Sequence, residues 1–425
     1  MQNSNVKTRL IVLSFLQFAI WGAYLTSMGR YLGGVGMGSH IGWFYSVQGI
    51  VSIFMPAIIG IIADRWVPAQ RLLAFCHAVA AVFMGITGYI GMTKGADVAF
   101  NDLFWTYTVS VAFYMPTLAL SNSVSYTVLN NAGLDTVKAF PPIRVFGTVG
   151  FIVSMLLVDY TGFQMSYAQF LTSATWGVIM ALYCLTLPNC PVNKERANTS
   201  LVSAFGLDAF KLFKQKRMAM FFIFSMLLGA ALQVSNGFAN TFIGSFEAYP
   251  ALADTFAVKH TNMLISLSQI SETLCILLIP FFLKKFGIKV VMLIAMLGWV
   301  FRFGFFAVGD PGMPGVLLFV MSMVVYGVAF DFFNISGSLF VDNEVSEDLR
   351  SSAQGLFMLM TNGLGASIGV IAAQKVVDAY THSVQVGDMF FTVGDWSTAW
   401  YIFAAYALVI AVLFALLFKE KKTVK

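Results

Sequence analysis

About a dozen apolar runs recur along the chain, each roughly 18–25 residues long and set off by short polar connectors. Each is long enough to cross a lipid bilayer as a helix. In hydrocarbon every backbone N–H and C=O must be bonded within the protein, so runs of this length can span only as helices. A membrane β-barrel would instead show roughly ten-residue segments of alternating polarity, and the sequence has none. Only 11% of the 425 residues are charged and 58% are hydrophobic, with mean hydropathy +0.79. Soluble domains carry about 25% charged residues. An all-α, polytopic membrane protein is expected.

Residues 1–9 are polar, and the apolar run that follows is too long for the core of a cleavable signal and lacks a small-residue cleavage site. It reads as the first span. Spans are predicted near 10–32, 40–62, 72–92, 101–125, 144–163, 166–187, 218–243, 261–283, 288–308, 315–340, 352–377 and 397–418. Basic residues alternate between the connectors. Lys7, Arg9, Arg65, Arg71, Lys138, Lys194, Arg196, Lys211, Lys214, Lys216, Arg217, Lys284, Lys285, Lys289, Arg350, Lys419, Lys421, Lys422 and Lys425 fall on one side; Arg30, Lys94, Lys259 and Lys375 are on the other. By the positive-inside rule the first side is cytoplasmic, with both termini inside. The net charge of +5 follows this topology and does not indicate nucleic acid. Cys76, Cys184, Cys190 and Cys275 lack paired spacing, so neither a disulfide framework nor a metal site is expected.

The longest connector, 188–217, divides the chain into a six-span half, 1–187, and a second, 218–425. Gly60-Ile-Ile-Ala-Asp-Arg-Trp66, followed by Arg71, joins spans two and three. It resembles the Gly-x-x-x-Asp-Arg signature of the major facilitator superfamily, whose site lies between the halves near the membrane midplane. The resemblance implies a latch in which Gly60 permits close helix approach while Asp64 and Arg65 tie neighbouring helices. The counterpart, Lys284-Lys-Phe-Gly-Ile-Lys289, is degenerate. Pro56, Pro116 and Pro280 sit within or near the ends of spans, where membrane helices tolerate them.

Polar residues inside the spans mark the interior. Glu272 lies near the middle of span eight with Gln269 one turn before it, on the same helix face. A carboxylate there costs at least ~2.5–3.5 kcal/mol and is kept only where it faces protein or water. Span five carries Arg144, Thr148 and Phe151 as one stripe, with Pro141-Pro142 suited to a helix start. Span seven supplies Gln233 and Asn236. Span ten supplies Tyr326, Phe330 and Asp331, then Asn334. Amides, carboxylates and aromatic faces suit a neutral ligand with several hydroxyls and a planar heteroaromatic ring. A multiply anionic ligand would want more cations than Arg144 and Arg302. Other roles are compatible with the same residues: Gln233 with Asn236 as a helix-joining bond, Phe151 and Phe330 as core or lipid-facing side chains, the carboxylates as structural partners of Arg144. Arg302 is expected to pair with a carboxylate for structure, and His77 to make a hydrogen-bonded helix contact.

Six stretches carry a more specific likeness: Ser14-Phe-Leu-Gln-Phe-Ala-Ile-Trp-Gly22, Phe113-Tyr-Met-Pro-Thr-Leu118, Phe140-Pro-Pro-Ile-Arg-Val-Phe-Gly-Thr-Val-Gly-Phe151, Ser268-Gln-Ile-Ser-Glu-Thr-Leu274, Tyr326-Gly-Val-Ala-Phe-Asp-Phe-Phe-Asn-Ile-Ser-Gly337 and Ser352-Ala-Gln-Gly355. With them the sequence resembles the nucleoside:proton symporter family of bacterial nucleoside permeases over nearly its whole length, departing from it at Phe146 and Ala231. The resemblance implies a nucleoside site lined by Arg144, Thr148, Phe151, Gln233, Asn236, Gln269, Glu272, Tyr326 and Phe330, with Asp331 beside it and Asp331 or Glu272 carrying the proton. It further implies alternating access in a bacterial cytoplasmic membrane by a monomer that needs no cofactor beyond the proton gradient. A major facilitator carrier of sugars or drugs, and a nucleoside sensor that moves nothing, are the rivals. No nucleophile–base pair, metal cluster or cytoplasmic output domain favours an enzyme or a sensor.

Overall fold

The computed structural model describes residues 2–192 and 207–419. Lys194, Arg196, Lys421, Lys422 and Lys425, and residues 193–206 of the 188–217 connector, lie outside the described residues. The chain forms two compact units, Met1–Ala204 with Gly387–Phe390, and Phe205–Val386 with Phe391–Lys425.

The first unit holds α1 (Gln2–Gly22), α2 (Met28–Gly34), α3 (Ile41–Arg65), α4 (Ala69–Lys94), α5 (Phe100–Asn131), α6 (Thr136–Tyr160) and α7 (Ala168–Cys184). The second holds α8 (Lys216–Ser245), α9 (Thr261–Val308), α10 (Val316–Glu344), α11 (Glu347–Met358), a π-helical segment (Leu359–Gly365), α12 (Ala366–Tyr380) and α13 (Trp396–Leu417). Strands β1 (Thr381–Val386) and β2 (Met389–Gly394) form a hairpin that the hydropathy pattern did not signal.

Among the described residues, nine helices are long and apolar enough to cross a membrane. One of them, α9, is broken at Gly287, where φ is 76° and ψ 171°, and so gives two spans, α9a (261–286) and α9b (288–308). Adding the shorter apolar helix α7 and the α1–α2 pair gives twelve, six in each unit. Apolar side chains such as Leu277 and Val409 stay exposed, as a lipid-facing surface requires.

Three local features differ from the sequence expectation. Span one is not continuous: the chain leaves helical geometry over residues 23–27. The Tyr45 hydroxyl donates to the Leu25 carbonyl in this stretch, so irregular backbone is satisfied by a side chain from α3. Helix α6 begins at Thr136, not beside Arg144, and carries Pro141 and Pro142 in its second turn. Span eleven passes through the π-helical segment, a local widening that often accompanies functional sites.

The interiors of both units combine buried hydrogen bonds with packed rings. In the first, polar side chains bond to one another. Gln17 Nε2 donates to Thr117 Oγ1 at 2.8 Å, Gln48 Nε2 to the Tyr107 hydroxyl at 2.8 Å, and Ser27 Oγ to Gln169 Oε1 at 3.1 Å. The second also holds ring clusters: Phe221, Phe340 and Phe357 form one, and Phe242, Phe306, Trp396 and Trp400 another. Each such ring pair contributes about 0.5–1.5 kcal/mol beyond its buried area.

Candidate functional site

In the first unit α1 and α6 meet backbone to backbone. A methyl group added at Gly150 would collide with the Phe15 carbonyl, so only glycine allows the contact. That approach sets the stripe of α6 against α1. The Arg144 guanidinium lies 3.9 Å from the Phe18 ring centroid, a cation–π contact. Phe151 is buried, 7% exposed, and stands edge-on to Trp21 at 6.4 Å; Trp21 in turn lies 6.1 Å from Tyr114. Thr148 is half-buried on the same helix. Phe18 and Trp21 therefore belong to this face, and the stretch Ser14–Gly22 was the sequence signal for them.

In the second unit α9a and α10 also meet at a glycine. A Cβ on Gly327 would fall 2.6 Å from the Ser271 backbone and 2.7 Å from the Glu272 nitrogen. The contact brings Tyr326, beside Gly327, next to the turn of α9a that carries Gln269 and Glu272. Glu272, Arg302 and Asp331 all act electrostatically on the Tyr326 hydroxyl, and the Gln269 side chain reaches it. Phe330 stacks on Tyr326 with centroids 5.7 Å apart and planes 12° from parallel. On α8, Asn236 Nδ2 donates to Gln233 Oε1 at 3.2 Å, so the two amides form one polar unit. Asn334 donates instead to the Phe330 carbonyl, a bond within its own helix. Asp331 is buried, 5% exposed.

Sequence reasoning missed the surroundings of Phe330. Trp299, Thr361 and Asn362 join Phe330 and Asn334 around a cavity of about 20 Å³, room for a water-sized guest. No pattern local to α11 marks the π-helical turn that supplies Thr361 and Asn362.

Two expectations are corrected. Arg302 has no carboxylate partner among the described residues. Its hydrogen bonds go to Ser235 Oγ, Ser268 Oγ and the Ser322 carbonyl, because three hydroxyl-bearing turns surround it. Gly60 does not mediate close helix approach here: a methyl at this position would meet no atom within 4 Å. Gly60, Asp64 and Arg65 form the last turns of α3, and α4 begins four residues after Arg65. His77 behaves as expected of a helix contact, with Nε2 2.9 Å from Gln17 Oε1.

Among the described residues, no group of three or more His, Cys, Asp or Glu side chains is arranged to hold a metal. All four cysteines are buried and free. The chemistry on offer is hydrogen bonding, stacking and the charge of a few side chains.

Comparison with known proteins gives these features a context. The model of the family described as nucleoside H+ symporter matches residues 4–423. The nucleoside permease NupG of Escherichia coli (strain K12) is 48% identical over 419 residues, covering 98% of this chain and 97% of that protein. A xanthosine permease of the same organism is 49% identical over 417 residues, covering 98% and 96%. A crystal structure of a point mutant of the nucleoside transporter NupG superposes with a TM-score of 0.91 at 48% identity, covering 97% of this chain and 100% of that one. The xylose transporter XylE from E. coli, at 14% identity and a TM-score of 0.57 over 98% of both chains, shares the major facilitator fold alone. This chain, a multi-pass inner-membrane transporter and not an enzyme, belongs to the nucleoside H+ symporter family.

Proposed function

We propose that the protein takes up nucleosides together with protons by alternating access, with a cargo site formed by Arg144, Thr148, Phe151, Gln233, Asn236, Gln269, Glu272, Tyr326 and Phe330. The observation that carries this reading is the Gly327 contact, which brings the amide and carboxylate of α9a to the stacked rings of α10. A nucleoside needs both on one face: hydrogen-bond partners for the ribose hydroxyls and flat apolar surface for the base. Asp331, buried beside the rings, is assigned the coupling proton, with Glu272 holding a ribose hydroxyl and serving as the alternative proton carrier. Asp331 is protonated while cargo is bound and releases its proton on the inner face, which resets the carrier. Asp64 and Arg65 act as a latch at the end of α3, with no part played by Gly60. Both termini face the cytoplasm, and the working unit is the monomer.

The driving force is sufficient. One proton crossing ~100 mV gains about 2.3 kcal/mol, and one pH unit adds about 1.4 kcal/mol. Their sum supports a gradient of several hundred-fold for a neutral cargo. The test is uptake of radiolabelled uridine into proteoliposomes with an imposed inward proton gradient, in competition with adenosine, xanthosine and lactose. Accumulation that collapses with a protonophore and is inhibited by nucleosides but not by lactose is expected. Uridine uptake that only equilibrates, whatever the gradient, would overturn proton coupling. Competition by lactose would move the cargo to sugars.

A further inference from the structure

Among the described residues, Arg302 is the one fully buried guanidinium of the second unit, 2% exposed and about two-thirds of the way along α9b. Placing a cation inside a membrane helix costs at least ~2.5–3.5 kcal/mol, and this one has no carboxylate among the described residues to offset it. Its hydrogen bonds have a pattern that explains why it is kept. Nε and Nη2 donate to Ser235 Oγ at 3.0 and 2.7 Å, and Ser235 lies between Gln233 and Asn236 on α8. Nη1 donates to Ser268 Oγ at 3.4 Å, and Ser268 precedes Gln269 on α9a. Nη1 also donates to the Ser322 carbonyl at 2.8 Å, one turn before Tyr326 on α10. Ser322 Oγ donates back to the Arg302 carbonyl at 2.9 Å. The guanidinium carbon then lies 4.6 Å from the centroid of the Tyr326 ring, which also stacks with Phe330 and meets Trp299 edge-on at 5.9 Å.

One rigid planar group thus touches every helix of this unit that bears a proposed cargo residue, and each touch falls within about one turn of such a residue. We propose that Arg302 is a positioning residue: it fixes the register of α8, α9a and α10 and holds the Tyr326 ring against which a nucleoside base stacks. The proposal rests on the cargo site proposed above. Neither a lysine nor a neutral side chain can reproduce it. The lysine ammonium is a point donor without a flat face, and cannot reach two serines and a carbonyl while lying along a ring.

The experiment is isothermal titration of uridine into purified protein, with size-exclusion profile and unfolding temperature recorded for each variant. Arg302→Lys is expected to weaken uridine binding tenfold or more. Tyr326→Leu alone should also weaken it, and adding Arg302→Lys to Tyr326→Leu should cost little more, because the two act through the same ring. A purely structural arginine would lower the unfolding temperature, leave binding by the folded fraction intact, and add its full effect in the double variant. Either of those binding results overturns the proposal. Should Arg302→Lys fail to fold, the Ser235→Ala/Ser268→Ala double variant decides. A several-fold loss of affinity that vanishes in the Tyr326→Leu background supports the proposal, and unchanged affinity sinks it. If Tyr326→Leu alone binds uridine as the wild type does, the fault lies in the cargo-site assignment, and the proposal falls with it.

Discussion

In the first unit Gln17, His77, Thr117 and Tyr114 satisfy one another; in the interior of the second, Glu272, Arg302 and Asp331 gather around Tyr326. The first arrangement is a set of mutual hydrogen bonds that leaves only His77 Nδ1 of the imidazole without a partner among the described residues. Because the Gln17 amide nitrogen donates to Thr117, its oxygen is left to accept from His77 Nε2, and the Tyr114 hydroxyl donates to the Gln17 carbonyl. Each of these donors has its acceptor, and the imidazole is fixed in one tautomer. The buried charges of this unit, Arg30 and Asp159, lie on the short α2 and in the last turn of α6, while Arg144 is half-buried on the stripe. The second unit instead keeps carboxylates and a guanidinium among rings. Under the function proposed above, the coupling proton belongs to a carboxylate of the second unit, and the bonds among Gln17, His77, Thr117 and Tyr114 serve as scaffold.

The largest effect that would break this division comes from Asp331→Asn. The substitution keeps size and most hydrogen bonding but fixes the site as neutral. Proton-driven accumulation of uridine in proteoliposomes should fall to equilibration, a loss of about the several hundred-fold that one proton supports, while uridine counterflow persists. An Asn variant that still concentrates uridine would remove Asp331 from coupling and pass the role to Glu272.

Glu272→Gln sharpens the same contrast within the second unit. A hydrogen bond to a charged acceptor is worth about 1–1.5 kcal/mol more than one to a neutral acceptor, so exchanging the carboxylate for an amide should raise the uridine Kd by roughly 5–10-fold. Unchanged Kd with lost accumulation would exchange the parts played by the two carboxylates.

How much of this was readable follows from which interactions are local. Helical periodicity put Gln269 with Glu272, and Tyr326 with Phe330, because residues three or four apart share a helix face. The spans were legible for the same reason, and the turn at Gly287 was marked by its flanking lysines. The break after Gly22 was not, since residues 23–27 include neither glycine nor proline and their irregular backbone is held by Tyr45, twenty residues on. Arg302 was visible as a buried charge, but its partners lie on three other helices, and no spacing along the chain relates Ser235, Ser268 and Ser322. Pro141 and Pro142 suggested a helix start because proline is favoured in the first turn; here α6 admits them one turn later.

A smaller effect tests the neutral scaffold. In His77→Leu the Gln17 side-chain oxygen loses its donor inside a fully buried site. An orphaned buried acceptor costs about 1–3 kcal/mol. The variant should therefore unfold more readily in detergent while the uridine KM and the dependence of uptake on the proton gradient stay near wild type. Coupling lost in His77→Leu protein of normal stability would give the first unit a share of the proton's path.

The smallest expected effect concerns charge held at the surface of the second unit, and it shows why burial matters. Asp395 is exposed and precedes α13; its carboxylate accepts from the Thr398 amide at 3.0 Å and from the Thr398 hydroxyl at 2.6 Å, capping the helix. The two donors hold the Asp395 carboxyl below its ordinary value of 3.8, the hydroxyl being the stronger influence. A depressed value means that the folded state favours the ionised form, so the cap stabilises fully above the ordinary value and fades as pH falls through the depressed one. The gap in unfolding temperature between wild type and Asp395→Ala should stay level from about pH 7 to pH 5 and narrow progressively as pH falls below the ordinary carboxyl value. A gap that stays unchanged as pH falls well below the ordinary value would mean that the side chain acts by shape and not by charge. Uptake by Asp395→Ala protein should keep its wild-type pH profile, because a carboxylate that remains ionised throughout the working range has no proton to exchange, unlike one enclosed beside the cargo.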